Sequence, residues 1–116
     1  MLVYMPNSPA MVRETLNPQS VDAIGHRLLL LRKALGYSQV AMAQLMGQAI
    51  STWAMYETGE RRIHIDQALK LCGTVGCSLD WIYRGNFHSL PVDLAEKIQI
   101  QMHVDAALER TTRRRS

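Results

Sequence analysis

Apolar residues recur every three or four positions along most of the chain, and no stretch alternates with period two for long enough to make a convincing strand. Ile24, Leu28, Leu31 and Leu35 predict a helix that starts near Ser20 and runs through VDAIGHRLLLLRKAL, with Gly36 as its stop. Ser38 is a natural cap for a second helix, QVAMAQLM, whose buried face is Met42, Ala43 and Met46, and Gly47 turns the chain after it. A third helix occupies roughly Ile50–Thr58 and ends at Gly59. A fourth, IDQALKLCGTVG, places Ile65, Leu69, Cys72 and Val75 inward. Ser78 caps a short fifth, LDWIYR, which Gly85 closes, and Pro91 stands where a sixth begins and runs to about Arg110. Residues 1–18 carry Pro6, Pro9, Pro18, Asn7 and Asn17 without an apolar period and read as a flexible arm.

Composition removes several classes of function. A chain of 116 residues is one domain's worth. No apolar run approaches the roughly 20 residues of a membrane span, and MLVYMPNSPA lacks the basic start and long apolar run of a signal peptide, so a cytoplasmic protein with no membrane partner is expected. Cys72 and Cys77 fit reduced, buried thiols, with Cys72 filling the core. The net charge of +3 is misleading, because four of the thirteen basic residues sit in the tail RTTRRRS. Without them nine basic residues face ten acidic ones, so nucleic-acid affinity has to come from placed charges. The tail itself, residues 111–116, reads as basic and disordered. His26, His64, His88, His103 and the two cysteines lack zinc-site spacing, so neither metal nor cofactor is expected. With no Ser/His/Asp cluster, paired carboxylates or Gly-rich phosphate loop, the chain does not read as an enzyme.

The segment around the second and third helices carries the functional signal. Counting from Gln39 as one, Ala43 is fifth, Gly47 ninth, Trp53 fifteenth and Tyr56 eighteenth. Two helices crossing steeply through a short turn need a small residue where their backbones meet, a glycine in the turn and apolar residues inside the second helix. All of these are present. With IGHRL, LGYSQ, YETGERR and LKLCGTVGCSLDWIYRG around it, the stretch from Val21 to Gly85 resembles the lambda-repressor/Cro-like helix-turn-helix family, often called the XRE family, and looks like its phage-type members. The resemblance implies an all-α fold, a five-helix lambda-repressor-like domain over 20–86 after an arm at 1–19; a C-terminal helix over 87–110 lies beyond it. It also implies a sequence-specific regulator of transcription, a repressor, that binds double-stranded DNA.

Residue roles follow from the same resemblance. Gln39, first in its helix, matches the family's phosphate contact, and Arg61 and Arg62 match the basic residues that reach the DNA backbone. Arg32 and Glu57 match a structural ion pair that fixes helix three against helix one. Trp53 and Tyr56 are expected to face inward, leaving Gln48, Ala49, Ile50, Ser51, Thr52, Ala54 and Met55 outside. Of these, Gln48 and Ser51 are the best hydrogen-bonding candidates for bases and Thr52 reaches a phosphate or a base edge, while Ile50 and Met55 can only pack on thymine methyl groups. No bidentate Arg–guanine or Asn–adenine pair can be built, so DNA shape and two half-sites are expected to supplement direct readout.

Partners are suggested by surplus apolar residues. Leu29, Leu30, Val40 and Leu45 occupy positions usually polar in the family, and the sixth helix carries one stripe of Leu94, Ile98, Met102 and Ala106 and another of Ile100, Val104, Ala107 and Leu108. One stripe can dock on the domain; the other either lies buried in a groove of the same chain or is used by a homodimer through this helix at 87–110, which explains the excess better. The apolar outer face of helix three leaves a second reading open, a degenerate helix-turn-helix that binds a protein, as an anti-repressor partner or an antitoxin does. No effector is named by the residues.

Overall fold

The computed structural model describes residues 17–115; Ser116 and the part of the expected flexible arm at 1–16 lie outside the described residues. Among the described residues six α-helices follow in order: α1 (Val21–Ala34), α2 (Gln39–Met46), α3 (Ile50–Thr58), α4 (Ile65–Val75), α5 (Leu79–Arg84) and α6 (Val92–Arg115), with a 3-10 turn, Phe87–Ser89, before the last. Serine side chains start three of them. Ser20 accepts from the Ala23 amide at 3.0 Å, Ser38 from Ala41 at 3.0 Å and Ser78 from Trp81 at 3.1 Å, each taking up an amide that the first turn leaves unpaired.

α1 is the central strut and packs against α3, α5 and α6. Ile24, Leu28 and Leu31 meet Met42, Ala43 and Met46 of α2, Trp53 and Tyr56 of α3, and Ile82 of α5 in one buried cluster, which Leu94 and Ile98 of α6 complete. The α1–α3 contact is made at backbone distance. A Cβ on Gly25 would lie 2.3 Å from the Tyr56 carbonyl oxygen and 2.9 Å from that of Glu57. Ala43 was the expected small residue at the helix crossing; Gly25 is a second one.

A buried arginine ties down the other side of α1. Arg27, 2% exposed, donates through Nε to the Ile82 carbonyl at 3.1 Å and through Nη2 to the Pro18 carbonyl. The last residues assigned to the arm are therefore held: Asn17 accepts from the Gln19 and Ser20 amides, and the Gln19 carbonyl accepts from Arg62.

Three expectations need correction. Ile65 and Leu69 of α4 are each 51% exposed, and Ala68 and Leu71 are the fully buried residues instead. The six apolar residues of this 11-residue helix spread over an arc of about 160°, with Leu71 at one edge and Ile65 and Leu69 at the other, so periodicity alone does not select which edge is buried. Leu30, counted as surplus surface, is buried. Finally, α6 does not stop at Arg110 but continues to Arg115. Thr111 bonds back to the Ala107 carbonyl at 3.0 Å, and arginines in a last turn complement the negative end of the helix dipole.

Gly25→Ala should cost roughly 1–3 kcal/mol or more in urea unfolding, because two backbone carbonyls have to move. Gly73→Ala, in α4 with nothing within 4 Å of the added methyl, should instead stabilise by about 0.5–1 kcal/mol.

Candidate nucleic-acid interface

α2 and α3 are joined through Gly47, in the left-handed conformation at φ 65°, and Ala49, which begins α3 without a side-chain cap. The Gly47 amide returns to Ala43 and Gln44, and the Gln48 amide to Ala43 at 2.9 Å, so the turn closes on the last turn of α2. Lys70 of α4 donates to the Met46 carbonyl at 2.9 Å and satisfies that end. These contacts set where α3 leaves the turn.

Its rotation about its own axis is set from inside. Trp53 is fully buried and meets the Tyr56 ring edge-on, with centroids 5.9 Å apart and planes at 79°. Glu57, 4% exposed, lies one turn beyond Trp53. Arg32 grips its carboxylate with both arms of the guanidinium, at 2.6 and 3.1 Å, Gln39 donates to it at 3.0 Å, and the Trp53 indole N–H donates to it as well. Arg32 also reaches the Tyr37 carbonyl at 3.0 Å, joining the α1–α2 loop to the same cluster.

With this register, α3 presents Ala49, Ile50, Ser51 and Thr58 to solvent, while Thr52, Ala54 and Met55 are half-buried at the rim. Arg61, in the loop that follows, is exposed. Residues 28–82 match the helix-turn-helix family model. No curated protein and no solved structure matches the chain.

The helix-turn-helix distributes the expected site residues unevenly. Ile50, Ser51, Thr52, Met55 and Arg61 share the surface of α3 and its following loop. Three others are engaged within the molecule. The Gln39 amide group is held by Glu57. Gln48 turns inward, its Nε2 donating to the Tyr56 hydroxyl at 2.9 Å, with its buried Oε1 left unpaired. Arg62 donates to the Gln19 carbonyl at 3.0 Å, although it is exposed. Arg27, Gly25 and the hub role of Glu57 lie outside the motif spacing that marks the other site residues. A charged residue and a glycine interrupting the apolar stretch of α1 were the available signals.

Among the described residues no group of three or more His, Cys, Asp or Glu could hold a metal ion, and no helix is long and apolar enough to cross a membrane. Burial pushes both thiols up, Cys77 far above its usual range, and the Cys77 thiol donates to the Cys72 sulfur at 3.6 Å. Such thiols are poor nucleophiles near neutral pH. Cys77 is the more buried of the two, whereas Cys72, expected to fill the core, is only half-buried.

Glu57→Ala should be among the most destabilising changes in the helix-turn-helix, about 3–5 kcal/mol, because Arg32 loses its counter-charge and the buried indole its acceptor. Gln39→Ala should cost far less. A double-mutant cycle on Arg32 and Glu57, read by chemical unfolding, should give strongly non-additive losses.

Proposed function

We propose that the protein is a sequence-specific, DNA-binding regulator of transcription, a phage-type repressor that works in the cytoplasm as a homodimer. The observation that carries the proposal is the uncovered outer face of α3 beside Arg61, inside a segment that matches a helix-turn-helix family model. In this reading α3 lies in a major groove, and a dimer puts two such helices into successive grooves about one helical turn apart.

The division of labour is unusual. α3 carries no charged residue on its outer face, so affinity rests on Arg61, on Arg62 when it leaves Gln19, and on backbone amides at the helix starts. Ser51 is the exposed hydrogen-bonding group left for bases, because Gln48 is held by Tyr56. Gln48 can join only by giving up that bond. Ile50 and Met55 suit thymine methyl groups, and the shape of the duplex supplies further selectivity.

A second reading draws on Val40, Leu45 and Ile50, all large, apolar and well exposed around the two helices. In that reading the same face binds a protein rather than DNA. Selecting duplexes from a random pool separates the two: a recovered palindrome supports the repressor, and no enrichment supports the protein-binding module.

Three mutational outcomes are expected. Arg61→Ala should weaken binding to all duplexes alike and flatten the dependence of log affinity on log salt by roughly one unit, as measured by fluorescence anisotropy at several salt concentrations. A loss confined to one sequence would reassign Arg61 to base reading. Ser51→Ala should instead relax preference at one or two base pairs at a cost of roughly 1–3 kcal/mol. Replacing the contacted thymine by uracil should reproduce Met55→Ala, and combining the two should add little.

A further inference from the structure

α6 has one face on the domain and one face on solvent. Leu94 and Ile98 are buried against the core, and further along the same side Lys33 of α1 pairs with Asp105 at 2.7 Å while Gln101 donates to Asp105 at 2.9 Å. The inner side therefore becomes polar past Ile98. Met102 and Ala106, expected to continue the docking stripe, fall beside the contact line, with Met102 exposed.

The outer side has its own order. At about 100° per residue, Asp93, Glu96, Ile100, Val104, Ala107 and Arg114 fall within about 80° of the helix circumference, and Arg110 flanks them. All seven are exposed. The strip is acidic at its start, apolar in the middle and basic at its end. Glu96, Gln99, Ile100 and His103 line a shallow concavity on it.

The strip is also symmetric under reversal. The midpoint between Asp93 and Arg114 lies between His103 and Val104, as does the midpoint between Ile100 and Ala107. That between Glu96 and Arg110 falls on His103. A two-fold axis at this point would bring each acid against the base of another copy and the apolar centres against each other. A parallel arrangement would oppose acid to acid and base to base.

We propose that this face of α6 is a self-complementary docking surface for α6 of a second copy in the antiparallel direction, with Glu96 facing Arg110 and Asp93 facing Arg114 across the axis. The inference rests on the homodimer of the proposed function and gives it a surface and a direction. Two isologous ion-pair sets set direction and register, while burial of Ile100, Val104 and Ala107 supplies the attraction.

The test uses the full chain without DNA, in sedimentation equilibrium at low salt. The wild type should dimerise, and Val104→Asp should be monomeric with a helical circular-dichroism spectrum and melting temperature close to those of the wild type. Glu96→Arg and Arg110→Glu should each raise the dimer Kd at least about tenfold, since each creates two like-charge contacts. The double variant E96R/R110E should return to within about threefold of the wild type, because the pairs are restored with their signs exchanged. A wild type that stays monomeric, single reversals that leave Kd unchanged, or a double variant as weak as the singles would each overturn the proposal. DNA binding is read separately by duplex selection, so a dimer indifferent to these changes removes the α6 surface without touching the DNA-binding reading.

Discussion

The carboxylate of Glu57 is the point on which the helix-turn-helix depends. It is buried, charged and met by donors from three helices: Arg32 from α1, Gln39 from α2 and Trp53 from α3 itself. Desolvating such a charge costs several kcal/mol, which only well-directed hydrogen bonds offset. The same directionality makes the group useful as a fixture. Apolar packing tolerates small rotations of a helix, whereas a forked guanidinium and an indole N–H on one carboxylate do not. Because Trp53 and Glu57 are one turn apart, the internal network fixes which residues of α3 face outward.

The cost of that arrangement is visible at the surface. Polar groups that could have read a partner are drawn inward: Gln39 toward Glu57 and Gln48 toward Tyr56, the latter with a buried oxygen left unsatisfied. What remains outside is small or apolar, apart from hydroxyls and the arginines of the following loop. In the proposed function, recognition by α3 therefore favours shape, methyl groups and backbone charge over hydrogen-bonded base edges.

Much of the architecture was legible in the sequence because local signals agreed. Serine caps, closing glycines and the 3.6-residue period point to the same helix boundaries for α1, α2 and α5, and a closing glycine marks the end of α3. The failures have physical reasons. The apolar arc of α4 is broader than the strip its neighbours cover, so which edge is buried is chosen by what packs on it, which periodicity does not contain. The arginine-rich tail reads as solvated until the helix before it is known to continue, and then the same charges favour the helix end. For the site, sequence spacing gave which residues share a face of α3 but not where flexible side chains turn. Gln48 is placed by a hydroxyl eight residues away. Gly25 is legible only once α3 is known to cross directly above it.

That crossing has a consequence for how the molecule can diversify. Where α1 and α3 touch through backbone atoms, no side chain stands between them to serve as a shim. Most helix pairs can change their angle by exchanging one interfacial residue for a larger or smaller one, so adjustments to the scaffold and to the binding face become entangled. Here the pose of α3 is insulated from such drift. The outer residues can be exchanged freely as lettering on a fixed plate, and a library restricted to Ile50, Ser51, Thr52 and Met55 would vary what is presented without varying how it is held.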